Sequence, residues 1–411
     1  MGIKLNKDEV YNWLCSLLLF FIPLSTAIPN LILLLMLPLF VWKVKETGVR
    51  PFNEITYMFP PILLFFFFLN SILRGEFHNE IDILLRMGII VILFFVFSLA
   101  TNIQRLLYFF VLGVQCSILV SGINTLDFFI HTGELPFGNT GYVNEILLLE
   151  RPYMGFVCVL STIISWYIFF ESKKKKIKIV FLVSSFLSVF FILFISARMS
   201  LLTLLIVGGI GALCLRRMKR RKLWVPLVLI TAFTIFLLSG DSIKERFYLN
   251  GSVTEIVSTM KNYEPRFTIW PCSFDVMERG SGYSKAFGLG GFGMAVTYLV
   301  DCYNTSIENP SKREYYNTKK FNSHNQFIDI LLSHGWVGLF LFILLIIIII
   351  LKGVKEDRNR FWFWSVIIAF LCFLTVENML HRQLGCYAFG MLAIFMNGAF
   401  NVYSGKDLPT V

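Results

Sequence analysis

Residues 173–221 read KKKKIKIVFLVSSFLSVFFILFISARMSLLTLLIVGGIGALCLRRMKRR. Two apolar runs stand here between two basic clusters, and they meet at Arg198 with almost no turn between them. A spanning helix needs roughly 20 apolar residues, and cytoplasmic membrane loops collect Lys and Arg. The stretch therefore predicts a transmembrane hairpin. Its basic ends lie in the cytoplasm, and its tip, carrying Arg198, lies at the outer face.

The same reading extends along the chain. Of 411 residues, 56% are hydrophobic, 44 are Phe, and only 15% are charged. Soluble domains carry about 25% charged residues, so a soluble enzyme is excluded, and disorder is excluded by the same composition. A transmembrane barrel would alternate apolar and polar residues, whereas here long apolar runs recur. The fold class is an all-α polytopic membrane protein of about 12 transmembrane helices. The candidate spans are 11–28, 30–43, 55–73, 82–100, 104–130, 152–171, 178–197, 199–215, 223–240, 325–351, 361–377 and 383–401. The second is short and follows a turn read at Pro29-Asn30. The first is interrupted by Pro23 and is not read as a cleavable signal peptide. Three regions follow: helices one to nine over 1–240, a large outer domain over 241–324, and helices ten to twelve with a cytoplasmic tail over 325–411. Both termini are then cytoplasmic.

The formal net charge of +11 is explained by this topology rather than by nucleic acid. Contact of the basic loops with anionic membrane lipids follows from their position. None of the eight cysteines forms a CxxC pair, and no histidine stands at zinc-site spacing, so neither a structural metal nor a cofactor is expected. Cys272 and Cys302 are the only cysteines of the outer segment, where an oxidising compartment permits a disulfide.

The outer side collects the unusual residues. His78, His131, His324 and His381 fall in or beside outer loops, and His334 lies about three turns into the tenth span. Arg198 either snorkels to the interface or holds an anionic ligand; a guanidinium suits a diphosphate because its planar fork donates two hydrogen bonds at once. Arg266 opens a short amphipathic helix signalled by Pro265 and Trp270. The glycines of GLGGFG (288–293) permit close backbone approach. They follow no strand and open no clear helix, so a dinucleotide fingerprint is not read there. His324 would cap the outer end of the tenth span and is a candidate general base. Asn325 and Asp329 share a face at i, i+4 spacing. Asp329 is an intramembrane carboxylate, either tuning the site or paired structurally. Arg151 either adds charge to the site or pairs with Glu150. Glu377, Asn378, His381 and Arg382 form the last outer turn, where Glu377 either takes part directly or orients an arginine.

The sequence His324-Asn325, nine residues, Gly335, two residues, Gly338 resembles the H-[NSQ]-x9-G-x2-[GTY] pattern of the bacterial O-antigen ligase family. ISARMSLLTLL (195–205) resembles that family's Arg-bearing turn, and EPRFTIWPCSFDVM (264–277) with FGLGGFG (287–293) resembles its large periplasmic loop. The motifs span about 150–340. The superfamily also holds O-antigen polymerases and O-linked protein oligosaccharyltransferases. The resemblance implies an inverting, metal-independent membrane glycosyltransferase of the GT-C type in the bacterial inner membrane, with its active site on the periplasmic side. It implies a donor glycan on undecaprenyl diphosphate and an acceptor hydroxyl on the lipid A core. It implies His324 as general base, with Arg198 and Arg266 on the donor diphosphate. Polymerisation of lipid-linked repeat units is the alternative, the acceptor then being a second lipid-linked glycan; protein glycosylation stands further back. A transporter of lipid-linked sugars would carry its charges near the bilayer midplane, whereas here they gather at one rim.

Overall fold

The computed structural model describes residues 7–48, 53–133, 140–214, 264–356 and 360–401. The ninth expected span (223–240), the RRMKRR cluster and the first part of the outer segment, to residue 263, lie outside these residues. Among the described residues every regular element is helical. Seven helices are long and apolar enough to cross a membrane: Ala27–Thr47, Ile55–Leu73, Phe77–Ser98, Ile103–Thr132, Arg151–Glu171, Lys175–Phe194 and Gln326–Glu356. Shorter apolar helices accompany them at Lys7–Phe21, Arg198–Cys214 and Arg360–Leu374.

Polar contacts show how these helices alternate. At one end Lys43 pairs with Asp8 at 2.9 Å, Arg105 with Glu9 at 2.7 Å and Lys352 with Glu54 at 2.9 Å. At the other end Gln383 donates to Thr26 O and Asn30 Oδ1, Arg74 donates to Gly288 O, and Arg382 pairs with Glu150. Successive helices therefore run in opposite directions, as short connections require. Leu31, Leu34, Phe65, Leu119, Ile130 and Phe186 are exposed on the outer helices. Apolar surface on that scale marks contact with something other than water, and lipid is the contact for helices of this length. The helix Arg151–Glu171 is the centre of the bundle, with every residue from Tyr153 to Ile168 buried.

Three sequence expectations change. The second span is not short: its helix runs Ala27–Thr47, and the turn lies at residues 22–26, where Ser25 Oγ accepts from the amides of Ala27 and Ile28. Pro29-Asn30 sits inside the first turn of that helix, where proline costs no hydrogen bond. The expected twelfth span is broken into Gln383–Gly390, Leu392–Met396 and a 3₁₀ turn at Ala399–Asn401, and its residues 385–396 are buried. Broken helices at membrane depth are tolerated where protein surrounds them. Here Gly390 lies against Leu93, and a Cβ on Gly385 would fall 1.9 Å from Met379 O. His324 does not cap the tenth helix. Asn325 does, its Oδ1 accepting from the amides of Phe327 and Ile328 at 3.0 and 3.1 Å.

The described part of the segment expected on the outer side folds into helices Arg266–Arg279, Gly282–Phe287, Phe292–Ser306 and Pro310–Lys319. Ile269, Leu299, Tyr303 and Tyr316 form a small core that closes on Leu331 and Leu332 of the helix below. Cys272 and Cys302 are disulfide-bonded, with Cα atoms 5.8 Å apart. That helix below, Gln326–Glu356, is kinked at Gly335 (φ 68°, ψ −169°). Gly288 (φ 81°, ψ −172°) crosses it in the same region of backbone space, which is essentially glycine-only. The kink frees two carbonyls, and the glycine loop uses them: Leu289 N donates to Leu332 O at 2.8 Å and Gly290 N to Ser333 O at 3.2 Å.

Candidate functional site

The turn carrying Arg198 explains why the hairpin needs so few residues. Ser196 adopts φ 51°, its amide donates to Leu193 O, and the Ala197 amide donates to Ile192 O. These two bonds close the preceding helix in a Schellman motif, and Arg198 begins the next one. Gly155 of the central helix lies directly against this turn; a Cβ there would come within 2.1 Å of Ser200 Oγ. The close approach places Arg151, one turn away on the central helix, beside Arg198.

Arg151, Arg198 and Arg266 line one cavity of about 220 Å³, together with Glu377, Ser196 and Ser200. Three guanidiniums and one carboxylate line it, so its lining carries net positive charge. Arg266 donates to Val376 O at 2.7 Å and pairs with Glu264 and, at 3.5 Å, with Glu377. Arg151 does not pair with Glu150, which goes to Arg382 at 3.1 Å. Its Nε and Nη2 are buried and find no hydrogen-bond partner among the described residues. Buried donors of this kind are costly to leave unmet, and Arg151 is one of the residues that line this cavity.

His324 stands beside the cavity and is joined to it by Glu377. Its Nδ1 lies 3.7 Å from Glu377 Oε2, in ion-pair range, while Oε1 of the same carboxylate faces Arg266. At that separation the carboxylate is a charge neighbour of the imidazole rather than a hydrogen-bond partner. The histidine is partly exposed and has φ 45°, an uncommon conformation for a residue with a side chain.

A polar network holds that conformation. Asn322 Oδ1 accepts from the His324 amide at 3.2 Å, and Asn378 Oδ1 accepts from the Asn325 amide at 2.7 Å. Ser323 Oγ lies 3.3 Å from Asp329 Oδ1 and 3.2 Å from Asn378 Oδ1. Asp329 is 1% exposed and holds His381 Nε2 at 2.6 Å. Trp270 Nε1 donates to Ser323 O, and Gln326 Oε1 accepts from the Leu380 amide. Buried Asp329 and partly buried His381 thus form a pair near the His324 turn, and Asn325 caps the helix below it. The geometry brings Arg151, Arg198, Arg266, Glu377 and His324 together, with Asn325, Asp329 and His381 supporting them.

Two residues, Glu80 and Asn70, escaped the sequence reading. Glu80 is buried, and its carboxylate accepts from the amides of Phe292 and Gly293 at 2.8 and 2.6 Å. The glycine-rich stretch does open a helix, contrary to expectation, and Glu80 is the anion at its N-terminus. A carboxylate at the start of an apolar run, in FHNEIDILL (77–85), was the signal for it. Asn70 donates to Phe287 O and to His334 Nδ1, at 2.8 and 3.0 Å. His334 itself is buried and stacks on Phe67 at 4.0 Å, which makes it a packing residue of the kink.

Comparison with known proteins adds a family. Residues 183–343 match the sequence model of a family described as O-antigen ligase. The matched interval contains Arg198, Arg266, His324, Asn325, Asp329 and both motif glycines, Gly335 and Gly338; Arg151 and the 377–382 turn lie outside it. The comparison with curated proteins gives no match.

Proposed function

We propose that this chain, whose residues 183–343 match the O-antigen ligase family model, acts as that family's name says, transferring a glycan from undecaprenyl diphosphate to a sugar hydroxyl of the lipid A core. The observation that carries the proposal is the convergence of Arg151, Arg198 and Arg266 on one cavity at the helix ends, with Glu377 joining it to His324. A diphosphate leaving group needs cationic stabilisation as its charge develops, and preorganised donors supply it without reorganisation. A polyprenyl tail needs the site at the bilayer edge, and the cavity sits where the helices end.

The reaction follows from the placement. His324 Nε2 accepts the proton of the acceptor hydroxyl, and the freed oxygen attacks the anomeric carbon. The bond from that carbon to the diphosphate oxygen breaks on the opposite face, so configuration inverts. The electron pair leaves with undecaprenyl diphosphate, whose oxygens the three guanidiniums hold. Glu377 keeps the imidazole oriented and balances its charge after proton transfer, as a carboxylate does for other histidine bases. The site lies on the periplasmic face of the inner membrane in this reading. The sugar is already activated by its diphosphate, so no nucleotide is required.

The test is a deletion strain complemented with His324→Ala. Loss of the protein leaves bare core lipopolysaccharide while polymerised lipid-linked chains accumulate, and the variant behaves like the deletion while still inserting. Core bearing a single repeat unit would instead identify a polymerase. Wild-type glycan transfer by the variant would remove His324 as the base.

A further inference from the structure

The outer helices enclose a second and larger cavity, of about 440 Å³, that the transfer chemistry above does not use. Its walls are the C-terminal part of Arg266–Arg279 and one face of Phe292–Ser306. Asp275 and Arg279 come from the first helix, Tyr298 and Asp301 from the second, and Ser281 and Ser284 from the turn between. The disulfide from Cys272 to Cys302 ties the two walls together, so the cleft is built rather than incidental. Its size falls within the range of about 300–1,000 Å³ usual for small-molecule sites.

We infer that this cleft binds an oligosaccharide, the glycan portion of the enzyme's saccharide substrates. The lining has the chemistry for it. Tyr298 is 43% exposed and offers a ring face to the apolar side of a sugar. Asp275 and Asp301 are acceptors for paired hydroxyls, and charge-assisted bonds of this kind are the strong ones. Arg279, held by Asp275 at 2.7 Å, and the Ser281–Ser284 hydroxyl pair at 3.1 Å supply donors. Two carboxylates against one guanidinium disfavour acidic sugars and favour neutral or amino sugars.

Distance along the helix allows the same assignment. Arg266 and Asp275 lie on one helix, nine residues apart. At 1.5 Å per residue their Cα atoms are about 14 Å apart, and Arg279 lies about 20 Å from Arg266. A short oligosaccharide spans that distance. The same nine-residue step, at 3.6 residues per turn, sets Asp275 on the side of the helix opposite Arg266, so a glycan whose diphosphate is held at Arg266 reaches the cleft by wrapping round this helix.

The inference rests on the proposed function for its choice of substrate, and its test separates the two. Purified full-length protein in nanodiscs is assayed with two polyprenyl-diphosphate donors, one carrying the complete repeat-unit glycan and one trimmed to its first sugar. Tyr298→Ala and Asp301→Asn, both outside the transfer site, should raise KM for the complete donor about tenfold, the loss of one good contact, and leave the trimmed donor unchanged. A rise confined to the acceptor's KM upholds the cleft with the acceptor saccharide as its occupant. Equal losses on both donors, or none on either, overturn it. Saturation-transfer NMR with the oligosaccharide released from the donor gives a readout without turnover. Saturation in the wild type that Tyr298→Ala abolishes upholds the cleft even if no transfer is seen. Absence of saturation in the wild type sinks the cleft even if transfer is normal.

Discussion

Replacing Gly335 by alanine tests whether the crossing of the glycine loop and the kinked helix holds the outer domain in place. At φ 68° and ψ −169° the backbone is in a region that side-chain-bearing residues enter at a cost of about 1–3 kcal/mol. The new methyl would also meet Ala286 O at 2.3 Å and Gly288 N at 2.5 Å, and neither is a flexible side-chain end that can swing away. Overpacking against fixed atoms adds about 1–3 kcal/mol. The combined penalty is roughly 2–6 kcal/mol, before any loss of the Leu289–Leu332 and Gly290–Ser333 hydrogen bonds is counted. Against a total stability of about 5–15 kcal/mol this is a large fraction. Thermal unfolding in nanodiscs, followed by tryptophan fluorescence, should show Gly335→Ala melting several degrees below the wild type. Limited proteolysis should cut residues 282–320 earlier. Gly282→Ala is the control, since nothing lies within 4 Å of its Cβ position. If Gly335→Ala melts with the wild type and resists protease equally, the crossing does not carry the load assigned to it.

On the proposed reading, Arg198→Lys should lower kcat by about 10²-fold or more, because a point charge lacks the planar fork suited to a diphosphate; steady-state kinetics with lipid-linked donor reads it. Asp329→Asn should cost about 1.5–3 kcal/mol by weakening the charge-assisted bond to His381, measured as a fall in unfolding temperature together with reduced transfer. Cys272→Ser should remove about 3–4 kcal/mol of loop-closure stabilisation, given the separation of 30 residues. Chemical denaturation should then expose the outer helices first, and dithiothreitol should reproduce the effect in the wild type.

Much of the membrane portion was legible because its signal is strong and local. Apolar runs such as 181–197 meet the length a bilayer demands, and Arg198 between two of them marks a tip. The site was legible where charge stands at an outer helix end, as at Arg151, Arg266 and Glu377. What the sequence hid depends on contacts far apart in the chain. Glu80 and Phe292 are more than 200 residues apart, so nothing local to GLGGFG announces that its anion is a side chain of this protein. The broken final segment reads as an ordinary span because composition reports apolarity, not whether lipid or protein surrounds it. Asn325 rather than His324 caps the kinked helix because the positive φ at His324 turns its ring toward Glu377, which no pattern of residue types reveals.

That broken final segment also sets an order of construction. It fills a slot whose walls, including Leu93 and Phe342, are synthesised before it. The turn that leads into it bears Glu377, Asn378 and His381, the groups that orient the imidazole and brace its loop. On the proposed reading a ribosome must therefore deliver the chain through residue 382 before the base is aligned, and a chain terminated before Val376 lacks the partners of both Arg266 and His324.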